Sequence, residues 1–341
     1  MGVVYADSFD GYTGTDPAAP TAVSLTSKYT VTGAGLSLVT GRYGGRALRV
    51  PGSNTSRAKS GAFTAAVGSF SLCMSVRVGG FDADPAFALL NAATVMLGVV
   101  FNTSGGITIE RGNVALVSTA NSLWVADGTT WHTLKISGVI NDSTGSIVIN
   151  LDGSEVLNAT GLDTRNGTPT TIDNIFYNNE GVSVGQTDYD DVFITDSATA
   201  PADDYFIEAV PVNADGTPLN WTPSTGSGHF AVVDELPGSI TDYLTASTVG
   251  NIDELEVGNL ATAPTAIMAA QFVGHFDKTD GTARSVALGV KSGATTSAGS
   301  NVTLTTAGVR VERMFDTDPN TGVAWTQSGL QAAKIRPEVT V

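Results

Sequence analysis

The segment 131–153, WHTLKISGVINDSTGSIVINLDG, constrains the fold of this chain more than any other. Two alternating runs, 131–136 and 146–151, flank a polar linker that contains a Gly, and Asp152-Gly153 supplies the next tight turn. In the second run Ile147, Ile149 and Leu151 fall on one face, and Ser146, Val148 and Asn150 on the other. A period of two with one apolar face describes a half-buried antiparallel strand and no kind of helix.

Similar runs fill the first 200 residues: 29–31, 47–50, 69–78, 86–90, 94–101, 107–111, 114–118 and 189–195. Clusters of Gly, Asn and Asp separate them at the spacing of a sandwich. No window sustains apolar residues at helical spacing, and only 261–270 and 329–334 approach it. The segment 196–204, DSATAPADD, is polar, contains Pro and lacks periodicity, as a domain boundary should. Beyond it a second β unit is expected, with strands at 205–211, around 230–233, and at 266–276, 284–291, 302–305 and 309–315. A turn is expected at 213–216, and Asp280-Gly281 reads as a hairpin turn. The fold class is therefore all-β: two β-sandwich (jelly-roll) domains, residues 1–200 and 201–341.

Only 15% of residues are charged, yet the formal net charge is −16. Such a surface repels nucleic-acid phosphates and anionic lipid, so neither is expected as a partner. One cysteine, Cys73, excludes an intrachain disulfide and lies in an alternating run as a small buried side chain. The N-terminus lacks the basic region and apolar core of a signal peptide, and no apolar run reaches membrane-spanning length. The expectation is synthesis in a cytosol without membrane insertion.

Several phrases in order resemble the laminin-G-like, or concanavalin A-like, jelly roll: DSFDGY at 7–12, GRYGGRALRV at 41–50, SFSLCMSVRV at 69–78, the 131–153 block, and DYDDVFIT at 188–195. The second half resembles the C-terminal part of tailed-bacteriophage virion proteins, through LNWTPSTGSGHFAVVDELP at 219–237, TDYLTASTVG at 241–250 and FDTDPNTGVAWT at 315–326. This resemblance implies a non-enzymatic virion structural protein, tail-attached or decorating the head. Its partners would be other virion proteins and further copies of itself, with a trimer as the expected oligomer. Trp221 and Trp325 are expected to anchor the second core.

Concanavalin A-like folds include glycosidases, which need two carboxylates about the scissile bond. The nearest approach to their E-x-D-x-x-E strand is 251–256, where Asn251 occupies the first Glu position and an amide cannot act as nucleophile. His132, His229 and His275 form no ligand-spaced pair, and no G-x-S-x-G elbow is present. Calcium is the most credible ion, with Asp188, Asp190 and Asp191 as candidate ligands and Asp7 or Asp10 as possible neighbours, against a plainer reading as solvated residues before a strand. The alternative to a structural role is a carbohydrate-binding adhesin recognising a host surface glycan. Its candidate contacts are Trp124, Tyr177, Asn178 and Asn179.

Overall fold

The computed structural model describes residues 1–15, 23–52, 55–178, 185–202 and 204–341. They form two compact units. One comprises Met1–Phe9, Thr15 and Lys28–Ile207; the other comprises Asp10–Gly14, the described part of 18–27, and Glu208–Val341. The chain passes into the second unit for the last time just after Ile207, beyond the polar segment 196–204.

The first unit is a jelly-roll sandwich of two antiparallel sheets. Its strands begin with β1 (Val3–Asp7), β2 (Tyr29–Thr32), β3 (Ser37–Thr40), β4 (Arg46–Val50) and β5 (Arg57–Ser60). They continue with β6 (Ser69–Val78), β7 (Phe87–Asn91), β8 (Thr94–Phe101), β9 (Ile107–Arg111) and β10 (Val114–Ser118). The last five are β11 (His132–Val139), β12 (Gly145–Leu151), β13 (Ser154–Leu162), β14 (Asn174–Tyr177) and β15 (Thr187–Thr195). One sheet runs β13-β12-β11-β6-β15-β4-β3 with β1 also on β15; the other runs β10-β9-β8-β7-β14-β5-β2.

β11 and β12 pair from Leu134↔Leu151 to Val139↔Ser146, and Asp152 and Gly153 turn the chain into β13 with φ of 50° and 81°. Two successive left-handed residues match the twist of a tight hairpin. Ile147, Ile149 and Leu151 are buried while Ser146, Val148 and Asn150 are half-buried, as the alternation requires. Between the sheets, Phe87 meets Phe101 and Tyr189 edge-on, and the Tyr189 hydroxyl donates to the Ala86 carbonyl at 2.8 Å.

The second unit has β16 (Val212–Leu219), β17 (Thr222–Pro223), β18 (Leu244–Thr245), β19 (Asp253–Val257) and β20 (Ala270–Phe276). β21 (Ser285–Ser292), β22 (Thr295–Ser297), β23 (Asn301–Thr303), β24 (Val309–Phe315), the short helix α1 (Gln327–Gln331) and β25 (Lys334–Val339) follow. The main sheet runs β16-β19-β25-β21-β22 with β23 on β21, and β20-β24 forms a separate ribbon. Phe272, Val290, Trp325 and Ala333 share one apolar cluster; Leu288 and Val311 share another, against which Trp221 packs.

Four local expectations change here. Residues 205–211 form no strand, and the turn expected at 213–216 lies inside β16. Phe230–Val232 is a 3-10 turn because Asp215 accepts the Phe230 N–H at 2.7 Å and the His229 N–H at 3.1 Å. The Asp280-Gly281 turn joins no hairpin: β20 pairs with β24, while β21 pairs with β22, β23 and β25. The eight residues between β20 and β21 are long enough to change sheets, so turn chemistry alone does not fix the partner.

The facing of β12 gives a direct check. Ile149→Ala should destabilise the first unit by about 2–4 kcal/mol, whereas Val148→Ala should cost under about 1 kcal/mol, read as shifts of the urea midpoint at constant m.

Candidate functional site: a covered polar sheet face and its aromatic rim

β6 is buried on both faces, although every second residue is polar. Phe70, Leu72, Met74 and Val76 point into the sandwich, which leaves Ser71, Cys73, Ser75 and Arg77 on the outer face. Cross-strand partners extend that face with Thr133, Lys135 and Ser137 from β11, and Asp188 and Asp190 from β15. Charged groups withdrawn from water must be paired, and those of this face are.

Asp188 is fully buried; its carboxylate accepts Arg49 Nε at 2.7 Å and Arg77 Nε at 2.8 Å. A bulge between Asp190 and Phe193, with Asp191 at φ 49°, adds one residue to β15 and turns Phe193 to the outer face. Both acids find donors here: Asp190 accepts the Arg42 N–H at 2.7 Å, and Asp191 accepts the Ser75 hydroxyl at 3.2 Å and the Ile207 N–H at 2.7 Å. The approach of Asp190 needs glycine at 41, where a Cβ would lie 2.4 Å from the carboxylate.

The cover is the segment after β15. Ser71 donates to the Ser197 carbonyl at 2.6 Å, and Lys135 Nζ donates to the carbonyls of Pro201 and Ala202 at 2.8 and 3.1 Å. Tyr205 turns inward onto Phe193, with ring centroids 4.7 Å apart. The described residues after β15 thus form a strap across the sheet. Burial beneath it, opposed by the Lys135 charge, pushes the Cys73 thiol up to about 12, so it is no nucleophile.

At the strap's end, alternation turns Phe206 outward beside Tyr43, which stands in the glycine-rich β3–β4 loop. Their ring centroids are 5.6 Å apart at 62°, and they remain 58% (Tyr43) and 43% (Phe206) exposed. The Arg42 guanidinium lies 4.8 Å from the Tyr43 ring centre. Asp204, 59% exposed, accepts Tyr43 Oη and Arg42 at 3.4 Å and Thr133 Oγ1 at 3.3 Å. Thr133 links onward to Asp152, which accepts its N–H at 2.8 Å and pairs with His132 Nδ1 at 2.7 Å. Burial raises the Tyr43 hydroxyl above its ordinary value, Arg42 opposes this, and Asp204 and Asp191 add to it; the phenol stays protonated at neutral pH. Exposed rings beside hydrogen-bonding carboxylates can stack on an apolar ligand face while binding its hydroxyl groups.

The residues singled out in the sequence lie elsewhere or act otherwise. Trp124 is 6% exposed, packed edge-on to Phe101 and His132, and Tyr177 is fully buried among Phe9, Tyr29 and Tyr189. Asn178 is buried with its N–H donating to the Ala86 carbonyl, and Asn179 lies outside the described residues. Neither aromatic can serve as an exposed sugar platform. Asp188, Asp190 and Asp191 are turned to Arg, backbone and Ser partners, and Asp7 is taken by Lys28 and Tyr29. Among the described residues no three His, Cys, Asp or Glu side chains assemble as metal ligands. Tyr43 and Phe206 were missed, although an aromatic beside Gly44-Gly45 in a turn is poorly placed for burial.

The second unit has its own His–Asp pair: His229 Nδ1 meets the fully buried Asp253 at 2.6 Å, and Asp253 also accepts the N–H groups of Asn220 and Trp221. Among the described residues no hydroxyl or thiol is hydrogen-bonded to the second ring nitrogen of His132 or His229. Among the described residues, no helix is long and apolar enough to cross a membrane.

Asp188→Ala should strand Arg49 and Arg77 and cost about 3–5 kcal/mol, lowering Tm, with millimolar calcium shifting the Tm of neither variant nor parent. Asp152 is held below the usual carboxylate range: burial pushes it up, but hydrogen bonds from His132 and Thr133 and the Arg42 charge outweigh that. Its stabilising contribution is thus complete above the unfolded carboxylate value and lost as pH falls through the folded one. Unfolding titrations should show a flatter acid limb for Asp152→Asn than for the parent.

A scan against protein-family models matches none, and no curated protein matches the sequence. Solved structures match in part. The binding domain of Paraclostridial mosquitocidal protein 1 is 11% identical over 52% of this chain, with a TM-score of 0.38; the chain spans about half of it, 51%. Domain 4 of AbnA, an extracellular arabinanase from Geobacillus stearothermophilus, in complex with arabinotriose, is 13% identical over 56% of this chain and 93% of that one (TM-score 0.37). Lectin UEA-II complexed with galactose is 11% identical over 57% of this chain and 99% of that one (TM-score 0.35).

Proposed function

We propose that this chain is a non-enzymatic recognition protein whose jelly-roll unit binds a carbohydrate at the Tyr43–Phe206 rim, and that it serves as a surface component of a tailed-phage virion. The observation that carries the glycan reading is the exposed ring pair itself, held beside the exposed Asp204 carboxylate. Two exposed rings in contact with each other and rimmed by polar groups have the make-up of a ligand-binding patch. A rigid support adds to this: Arg42 is tied to Asp190, Ser75 and Thr133, so the loop that bears Tyr43 is organised before any ligand arrives.

The particle setting is supported by the sequence resemblance of 219–237, 241–250 and 315–326 to tailed-phage virion proteins. In that setting the second unit attaches to neighbouring virion proteins, with several copies presenting the rim outward and raising the avidity of a weak site.

Glycan-array binding followed by calorimetry on the best hit tests this reading. Phe206→Ala should weaken binding about tenfold, the loss of roughly 1–1.5 kcal/mol of ring contact, without changing Tm by more than a few degrees. Unchanged affinity together with a lowered Tm would make the ring pair a clasp for the strap and remove the glycan role.

A further inference from the structure

The chemistry of the rim narrows the ligand further than "carbohydrate". Among the described residues, every cation reaching the outer sheet face is engaged. Arg49 and Arg77 hold Asp188, and Lys135 holds two strap carbonyls. Arg42 donates from Nη1 to Ser75 at 3.2 Å and to Thr133 at 2.7 Å, reaches Asp204 from Nη2 at 3.4 Å, and is only 18% exposed. Arg46, the other cation of the same hairpin, also has a partner.

What faces water is acceptor chemistry. Asp204 is 59% exposed, and three of its contacts are long, at 3.3–3.4 Å. Asp152 is 51% exposed. Long contacts on an exposed carboxylate exchange readily for shorter ones from a ligand hydroxyl, because charge-assisted hydrogen bonds of good geometry are the stronger kind. A ligand carboxylate or sulfate would meet two like charges, with no uncommitted cation among the described residues at the rim to offset them, on a chain whose formal net charge is −16.

We propose that the Tyr43–Phe206 rim selects uncharged, hydroxyl-rich sugars and rejects sugars bearing carboxylates or sulfates, with Asp204 as the group that discriminates. This rests on the glycan reading above. Asp204 accepts two sugar hydroxyls, one ring lies against the sugar's C–H face, and an acidic substituent is repelled.

The test compares matched neutral and acidic oligosaccharides on the full chain: galactan fragments against oligogalacturonates, and xylo-oligosaccharides against their glucuronate-bearing forms. The neutral member of a bound pair should be preferred at least about tenfold at low salt. Raising salt from about 10 mM to about 1 M should leave neutral binding nearly unchanged and narrow the gap, because the Debye length falls from about 30 Å to about 3 Å. Asp204→Asn, which keeps size and polarity, should weaken neutral binding and narrow the discrimination by a similar factor. Equal or tighter binding of the acidic members, still lost in Phe206→Ala, would overturn the proposed selectivity and leave the glycan site standing. Binding to neither class, or binding untouched by Phe206→Ala, would overturn both.

Discussion

The first unit depends on a sheet that carries charge on a largely covered face. Asp188, shared by Arg49 and Arg77, is the fixed point of that face, since a fully buried carboxylate is tolerated only when its charge and lone pairs are matched. From it the pairing spreads outward. β15 takes its register against β6, the bulge at Asp191 brings two more acids to the same face, and these secure the Arg42 loop on one side and the Ile207 amide on the other. The strap then closes over Cys73 and Lys135. Its end and the loop place Phe206 and Tyr43 together in solvent.

This order of causes makes the aromatic rim a consequence of the polar network rather than an independent loop feature. Tyr43 is anchored through its neighbour Arg42, and Phe206 through its neighbours Tyr205 and Ile207. Each exposed ring thus sits beside residues that are pinned. Such preorganisation lowers the entropic cost of binding and gives a shallow surface site its selectivity. The long contacts of Asp204 are the loosest in the network and lie where a ligand would compete for them.

Much of the fold was legible in the sequence because alternation reports burial directly. β6, β8, β9, β10 and β24 occupy the residues their patterns predict, and the 131–153 block forms the expected hairpin and following turn. Partner choice was less legible. Asp280-Gly281 has good turn chemistry, but an eight-residue connection lets β21 join a different sheet from β20. The second unit's Phe230 segment alternates like a strand, yet Asp215 caps it as a turn, a contact from 15 residues away that no local pattern contains.

The site was the least legible part. Trp124 and Tyr177 were candidate sugar contacts, but both pack inside the sandwich, and sequence alone does not tell a buried aromatic from an exposed one. Asp188 and Asp190 read as ion ligands in the sequence because the arginines they meet, Arg49 and Arg77 by side chain and Arg42 by its backbone N–H, lie more than 100 residues away in the chain. The most direct measurement is an NMR titration of the labelled chain with the best-binding neutral oligosaccharide. The account predicts shift changes centred on the ring protons of Tyr43 and Phe206 and the amides of Thr133 and Tyr205. Changes confined to other loops, with those resonances unmoved, would contradict it.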